Sequence, residues 1–386
     1  MSAPVVEGVL VGAVATSAPD TQAGAPPPVE RADALNALVA KGFPRGLAQQ
    51  VADSADSFPI RLWVVDNSGS MQSADGSRMV HVPGGRGAVR MVKATRWAEL
   101  CDTVNHAAEL SEAIGARTDF MLINRPHSGV KHMTTGSAAG AAPTLPIEQG
   151  KPLDAASMRQ MLDEIDPSGG TPLTAAVTKV TQMLVPFERQ LRAHAQKAVV
   201  VIATDGLPNS PDAFVGAISE LQKLPVWLVV RLCTNDESVV SYWNDLDASL
   251  EAPLEVLDDE AGEAAEVTGL NPWLTYGPQL HLARELGLSH RLFDLLDERA
   301  FVPSQVRQLC ELLLGCGPLP EPELEWKAFH AALNDAVASA PTTIDPRTGR
   351  RRPWINAAAI ALRLAPWSDV ASWVPSMVEC AQCAVQ

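Results

Sequence analysis

Long apolar runs are missing from this sequence. No stretch of about 18 apolar residues occurs, so no transmembrane helix is expected. Asn-x-Ser/Thr sequons are also missing, which fits a chain that stays out of the secretory path. Cysteine is sparse: six are scattered through apparent helices and strands, unlike a disulfide framework, and reduced thiols inside the cell are expected. Positive charge is short as well, with 30 Lys and Arg against 45 Asp and Glu, a formal net charge of −15 and a pI near 5.0. Nucleic acid is held by neutralising phosphates, so no nucleic-acid partner is expected. No Gly-rich loop ends in Gly-Lys-Ser/Thr, and no Gly-x-Ser-x-Gly elbow occurs, so neither phosphate-loop nor α/β-hydrolase chemistry is signalled.

What is present is a large core in prospect. The 386 residues are 46% hydrophobic, and the length suggests two domains plus tails. The run Leu62-Trp63-Val64-Val65 reads as a buried strand, and it stops at Asp66-Asn67-Ser68-Gly69-Ser70. Asp66, Ser68 and Ser70 are spaced so that their oxygens can converge at the strand's carboxyl end. Hard oxygen donors of that kind suit Mg²⁺ or Ca²⁺ and poorly suit zinc. Alone the pattern is weak, and an Asx-capped turn closing a strand competes with it.

Two distant segments add to it. Gly169-Gly170-Thr171-Pro172-Leu173 is a glycine turn opening a helical pattern with proline at an early position. Ala198 to Gly206 is a second buried strand, ending in Thr204-Asp205-Gly206. In this order the three segments resemble the metal-ion-dependent adhesion site of von Willebrand factor A (VWA) domains, over about residues 58 to 268. The resemblance implies that Ser68, Ser70 and Thr171 touch a divalent ion, Mg²⁺ or else Mn²⁺ or Ca²⁺. Asp66 and Asp205 would hold it mostly through water, and a protein partner would supply a carboxylate to the open position. The function so implied is a cation-dependent protein-binding scaffold or adaptor with no catalytic set.

Two other functions compete. A metal-assisted hydrolase would use the same ion to activate water, with His81 or His127 as candidate base. Ser68 stands where an Asp-x-Asp phosphatase needs its second carboxylate, which argues against that class. A ubiquitin-pathway adaptor would use residues 31–56, two short helices broken at Gly42-Phe43-Pro44.

Along the chain, residues 1–30 read as a flexible leader that turns semi-rigid at Pro26-Pro27-Pro28, and not as a signal peptide, since the basic n-region is missing. Residues 31–57 form a helical lead-in. Residues 58–268 alternate strands with helices, which predicts an α/β fold with a doubly wound, mostly parallel sheet and ligands outside the strands' carboxyl ends. Within it, Met79–Val82 and Ala88–Met91 are expected to pair as a hairpin, Asp154 to cap a helix, and one helix to run from Pro172 to about Ala195. Residues 269–375 read as a smaller helical region. It holds helices over Leu280–Leu286, Leu292–Arg299, Pro303–Leu314 and Trp326–Ala338, and Arg347 and Arg350–Arg352 lie in a loop before Trp354.

Residues 376–386 are a tail ending Cys383-Ala384-Val385-Gln386. The tetrapeptide fits Cys-a-a-X prenylation, with Cys380 as a second acylation point and peripheral membrane contact as the consequence. A Cys-x-x-Cys redox or zinc pair and coincidence are the other readings. The expected location is cytoplasmic, with membrane association if Cys383 carries a lipid.

Overall fold

Strands buried on both faces must be apolar throughout, and β1 (Ile60–Val65) is: every residue of it is buried, even Arg61, whose pKa burial lowers to about 10. The computed structural model describes residues 29–81, 89–136, 145, 152–234, 236–250, 254–288 and 290–366. Before β1 come α1 (Arg31–Ala40) and α2 (Arg45–Ser57). After it come β2 (Gly76–His81), β3 (Val89–Ala94), α3 (Arg96–Ala113), β4 (Thr118–Leu122) and β5 (His132–Thr135). Then follow α4 (Ala155–Asp163), α5 (Leu173–Leu184), α6 (Glu188–Ala193), β6 (Ala198–Thr204), α7 (Pro211–Gln222), β7 (Val226–Leu232), α8 (Glu237–Ser249), β8 (Glu255–Leu257) and α9 (Glu260–Leu270).

The main sheet has the order β5-β4-β1-β6-β7-β8. All its pairings are parallel except β4 with β5, where Thr118 faces Thr135 across an antiparallel edge. This is the expected α/β class, a mostly parallel sheet between helices. The order rises on one side of β1 through β6 and on the other through β4, so the chain reverses direction at β1. Crevices for ligands open at such a point.

Residues alternate between the two faces along each strand. Leu62, Val64, Val200, Ile202 and Val230 pack under α5, α7 and α8 with Val177, Phe214 and Trp243. Trp63, Val65, Val201 and Val229 pack under α3 with Leu100 and Val104. That second layer runs on without a break into the lead-in (Leu38, Leu47, Val51) and into the carboxyl-terminal helices (Leu280, Leu309, Phe329, Ile360). Gly46 shows how closely they meet: a Cβ there would lie 2.1 Å from the Leu312 carbonyl oxygen.

The carboxyl-terminal region comprises α10 (Pro278–Glu285), α11 (Arg291–Asp294), α12 (Pro303–Leu314), α13 (Trp326–Ser339), β9 (Thr342–Asp345), β10 (Arg350–Pro353) and α14 (Ala357–Leu364). Three expectations need correcting here and upstream. The helix expected from Pro172 to Ala195 breaks into α5, a 3₁₀ turn at Val185–Phe187 and α6, because Pro186 cannot donate its backbone bond. The helix expected over Leu292–Arg299 stops at Asp294, where the Asn271 amide takes the carbonyls of Leu296 and Arg299, each at 3.0 Å. The arginine cluster is not a loop: Arg350–Pro353 pairs antiparallel with Thr342–Asp345, so the region is not purely helical. The strand Arg-Arg-Arg-Pro has no apolar alternation by which to recognise it.

The β2–β3 hairpin forms as expected, Met79 opposite Met91, and the Asp154 side chain caps α4 by accepting from the Ser157 amide at 2.7 Å. Among the described residues Cys101, Cys233, Cys310 and Cys316 are free thiols, and no helix is long and apolar enough to cross a membrane. The leader and the tail with Cys380 and Cys383 lie outside the described residues, as does most of 137–151.

Buried charge joins the sheet to the carboxyl-terminal helices. Arg231 on β7 reaches Glu99 at 2.9 Å and Glu285 at 3.2 Å. Arg284 donates to Glu263 at 2.7 Å, Asp297 at 2.8 Å and Glu255 at 2.9 Å, with its own side chain 2% exposed. Arg284→Ala would leave those carboxylates facing one another in the core. We expect a loss of about 3–5 kcal/mol in urea unfolding; a loss under about 1 kcal/mol would mean the network does not hold the two regions together.

Candidate functional site

β1 and β6 lie side by side and in parallel, so both chains leave the sheet at the same edge. Asp66 follows β1 directly, and its amide donates to the Ala203 carbonyl at 2.9 Å. Asp205 follows β6 in the same way, which brings two carboxylates from distant sequence to one point. Both are buried, Asp66 fully and Asp205 to 2% exposure.

The turn after Asp66 folds back on it. The Ser68 amide donates to Asp66 Oδ1 at 2.8 Å, and Thr204 Oγ1 donates to Asp66 Oδ2 at 2.6 Å. Ser68 Oγ and Ser70 Oγ are 3.0 Å apart, and Ser70 Oγ donates to Asp205 Oδ1 at 2.9 Å. Four of the five residues picked out from sequence are thus joined by hydrogen bonds.

Thr171 comes on the third segment. Gly69 donates its amide to the Gly169 carbonyl at 3.0 Å, and Ser168 donates to the Asn67 carbonyl at 2.9 Å. Asn67 in turn accepts from the Asn124 amide at 2.9 Å, and Asn124 Nδ2 donates to the Gly170 carbonyl at 2.8 Å. Gly169 sits at φ +89° with the Asn124 side-chain amide 3.2 Å from where a Cβ would go, so glycine is required there. Asn209 anchors the far side, accepting from the Thr171 amide at 3.3 Å. The Thr171 hydroxyl makes no hydrogen bond among the described residues and is half-buried beside the cluster's loops.

Burial pushes the Asp66 carboxyl above its ordinary pKa, and the nearby Asp205 charge adds to the rise; the bonds from Thr204 and Ser68 oppose it. A guanidinium answers part of this charge. Arg96 Nη1 donates to Asp205 Oδ2 at 2.9 Å and grips Asp75 with two further bonds, at 2.7 and 2.6 Å. Asp75 is held below its ordinary pKa by the Arg96 hydrogen bond.

The set therefore offers two carboxylates and hydroxyl oxygens, with no nitrogen or sulfur donor. That chemistry fits a hard divalent ion. Among the described residues no three His, Cys, Asp or Glu side chains gather for a metal, so water and an outside ligand would have to complete the oxygen shell.

No family model and no curated protein matches the chain. Among solved structures it is similar to manganese-loaded TRAP protein of Plasmodium vivax, at 18% identity over 53% of this chain and 69% of that one, with a TM-score of 0.32. The site rests on its own geometry.

Several residues here were not singled out from sequence. Thr204 opens the Thr-Asp-Gly turn, and its place as last residue of β6 aims it at Asp66. Asn67, Asn124 and Asn209 are loop clamps with no spacing rule to reveal them. Arg96 did leave a signal: a cation in the first turn of α3 opposes the helix dipole, and such a residue needs carboxylates nearby. His127 is exposed in the loop after Asn124 and makes no hydrogen bond or ion pair among the described residues. The His81 side chain lies outside what is described.

Because the native state raises the Asp66 pKa, this residue costs stability once the unfolded chain has ionised. Its contribution is whole below the ordinary carboxylate pKa and is lost as pH rises through the native value. Asn can keep both bonds, accepting from Ser68 and donating to Thr204. Asp66→Asn should therefore melt at a higher temperature than wild type in EDTA at pH 8, and the gap should close toward pH 4. A lower melting point at pH 8 would show that the carboxylate charge is not the burden.

Proposed function

We propose that the chain is a VWA-type module that captures a protein partner through a divalent ion, Mg²⁺ or else Mn²⁺ or Ca²⁺. The observation that carries this reading is the hydrogen-bonded chain from Ser68 through Ser70 to Asp205, closed against Asp66 by Thr204. Residues 135 or more positions apart, brought to one edge by the β1–β6 pairing, are joined there through polar atoms, with two carboxylates that repel each other at the centre.

In this reading Ser68, Ser70 and Thr171 would supply neutral oxygens, while Asp66 and Asp205 balance charge. When bound, the ion supplies a Lewis-acid position to which a partner's Asp or Glu can bind. Thr204 and the Ser68 amide hold Asp66 in one orientation, so no rotamer has to be fixed on binding. The Asn67–Asn124 clamp fixes the loop that carries Thr171.

The surroundings suit a protein ligand. The floor is buried, and the rim is open: Ser70, Gly170 and Asn209 are exposed, and Leu207 stands 41% exposed next to the Asp205 turn. A carboxylate seated in the centre with an apolar contact at Leu207 would give a short peptide segment both charge and burial.

Calorimetry with Mn²⁺ should show one site in wild type and none in Asp66→Ala. Thr171→Ala should weaken the ion or partner by about 1–3 kcal/mol, the range for a hydrogen-bond partner of a charged group, while leaving thermal unfolding almost unchanged. Equal Mn²⁺ binding by wild type and Asp66→Ala would place the ion elsewhere. A Thr171→Ala protein that unfolds far earlier would make Thr171 a helix-start residue only.

A further inference from the structure

We propose that Arg96 is the built-in counter-cation of this site, neutralising Asp205 until a divalent ion takes it and thereby setting how tightly the ion is held. The inference rests on the ion-site reading above.

Arg96 is placed where a cation is otherwise unfavourable. It opens α3, capped by Thr95, at the positive end of the helix dipole. Two carboxylates compensate. Asp205 is wholly buried at its side chain and receives Arg96 Nη1 at 2.9 Å; Asp75 is 58% exposed and receives the other two donors. The Arg96 side chain is 14% exposed and that of Asp205 fully buried, so the pair works at reduced dielectric.

Both oxygens of Asp205 are in use. Oδ1 accepts from Ser70 and Oδ2 from Arg96. A divalent cation drawing on Asp205 therefore competes with a full positive charge already there. Arg96 need not lose all its partners when this happens, because the two-bond grip on Asp75 uses Nε and Nη2 and leaves only Nη1 for Asp205. Asp75 lies in the turn before β2, and the same segment is tied to the start of α3 by the Arg96 amide donating to the Ser73 carbonyl at 3.0 Å. The guanidinium can thus swing from a two-carboxylate bridge to a one-carboxylate pair without unfolding the turn. Charge, not shape, is what Arg96 controls.

The test uses the full chain, Mn²⁺ as the probe, and binding read by calorimetry and by loss of the free-Mn²⁺ electron spin resonance signal. Arg96→Gln should bind Mn²⁺ about tenfold tighter than wild type, since a like charge beside the ion is removed. Arg96→Lys keeps the charge but loses the two-bond fork on Asp75, so it should bind Mn²⁺ no tighter than wild type. Asp75→Asn, at a turn residue 58% exposed, leaves Arg96 to Asp205 alone and should weaken Mn²⁺ binding severalfold. In EDTA, Arg96→Gln should melt below wild type, and Mn²⁺ should raise its melting temperature by more. Weaker binding by both Arg96 variants would make Arg96 a clamp that shapes the site and would overturn the inference. Unchanged affinity in Arg96→Gln and Asp75→Asn would overturn it too. If neither wild type nor Arg96→Gln bound Mn²⁺, the ion-site reading itself would fall.

Discussion

Two like charges, Asp66 and Asp205, are held at the adjoining ends of β1 and β6, and the local structure is arranged around that repulsion. Burial raises the Asp66 pKa, and the donors given to the pair offset its charge without cancelling that rise: Thr204 and the Ser68 amide bind Asp66, and Ser70 and Arg96 bind Asp205. The parallel pairing of β1 with β6 makes the arrangement unavoidable, because it sets Val65 beside Ala203 and so delivers both aspartates at the same edge. A pair of this kind is a poor way to stabilise a fold, since removing charge from a core is often neutral or better. Its presence at the carboxyl edge, where the strand order reverses, speaks for a purpose outside stability.

The lead-in and the carboxyl-terminal helices bear on this site through the core. Glu99 on α3 connects to both neighbours: one oxygen takes Arg231 from β7, and the other accepts the Ser77 amide of the β2–β3 hairpin at 2.9 Å. Arg231 also pairs with Glu285 on α10. The helix that begins with Arg96 is thereby fixed to the sheet, the hairpin and the carboxyl-terminal region together. The lead-in helices turn Leu38, Phe43, Leu47 and Val51 into the same core, and no third helix separates α2 from β1. That arrangement serves packing.

How much of this could be read from residues alone divides along physical lines. Strands buried on both faces announce themselves as apolar runs, so β1, β6 and β7 were legible, as was the parallel class. Motif residues at strand ends were legible too, because the turn chemistry of Asp-x-Ser-x-Ser and Thr-Asp-Gly is local. Side-chain partnerships across the fold were not. Nothing near Arg96 in sequence names Asp205, 109 positions away, and Asn271 ends a helix whose own residues favour continuing. The β9–β10 hairpin escaped because its arginines face solvent and leave no periodic pattern. The change from alternating strands and helices to helices alone is visible in the pattern of elements, and the apolar core runs across it on one side of the sheet.

The central claim is that a divalent ion sits among Asp66, Ser68, Ser70, Thr171 and Asp205. Crystals grown with Mn²⁺ and measured near the manganese absorption edge test it most directly. The account predicts one anomalous peak within coordination distance of the Ser68, Ser70 and Thr171 hydroxyls, with Arg96 turned from Asp205 toward Asp75. A well-ordered site with no peak there, or a peak elsewhere on the surface, would contradict it.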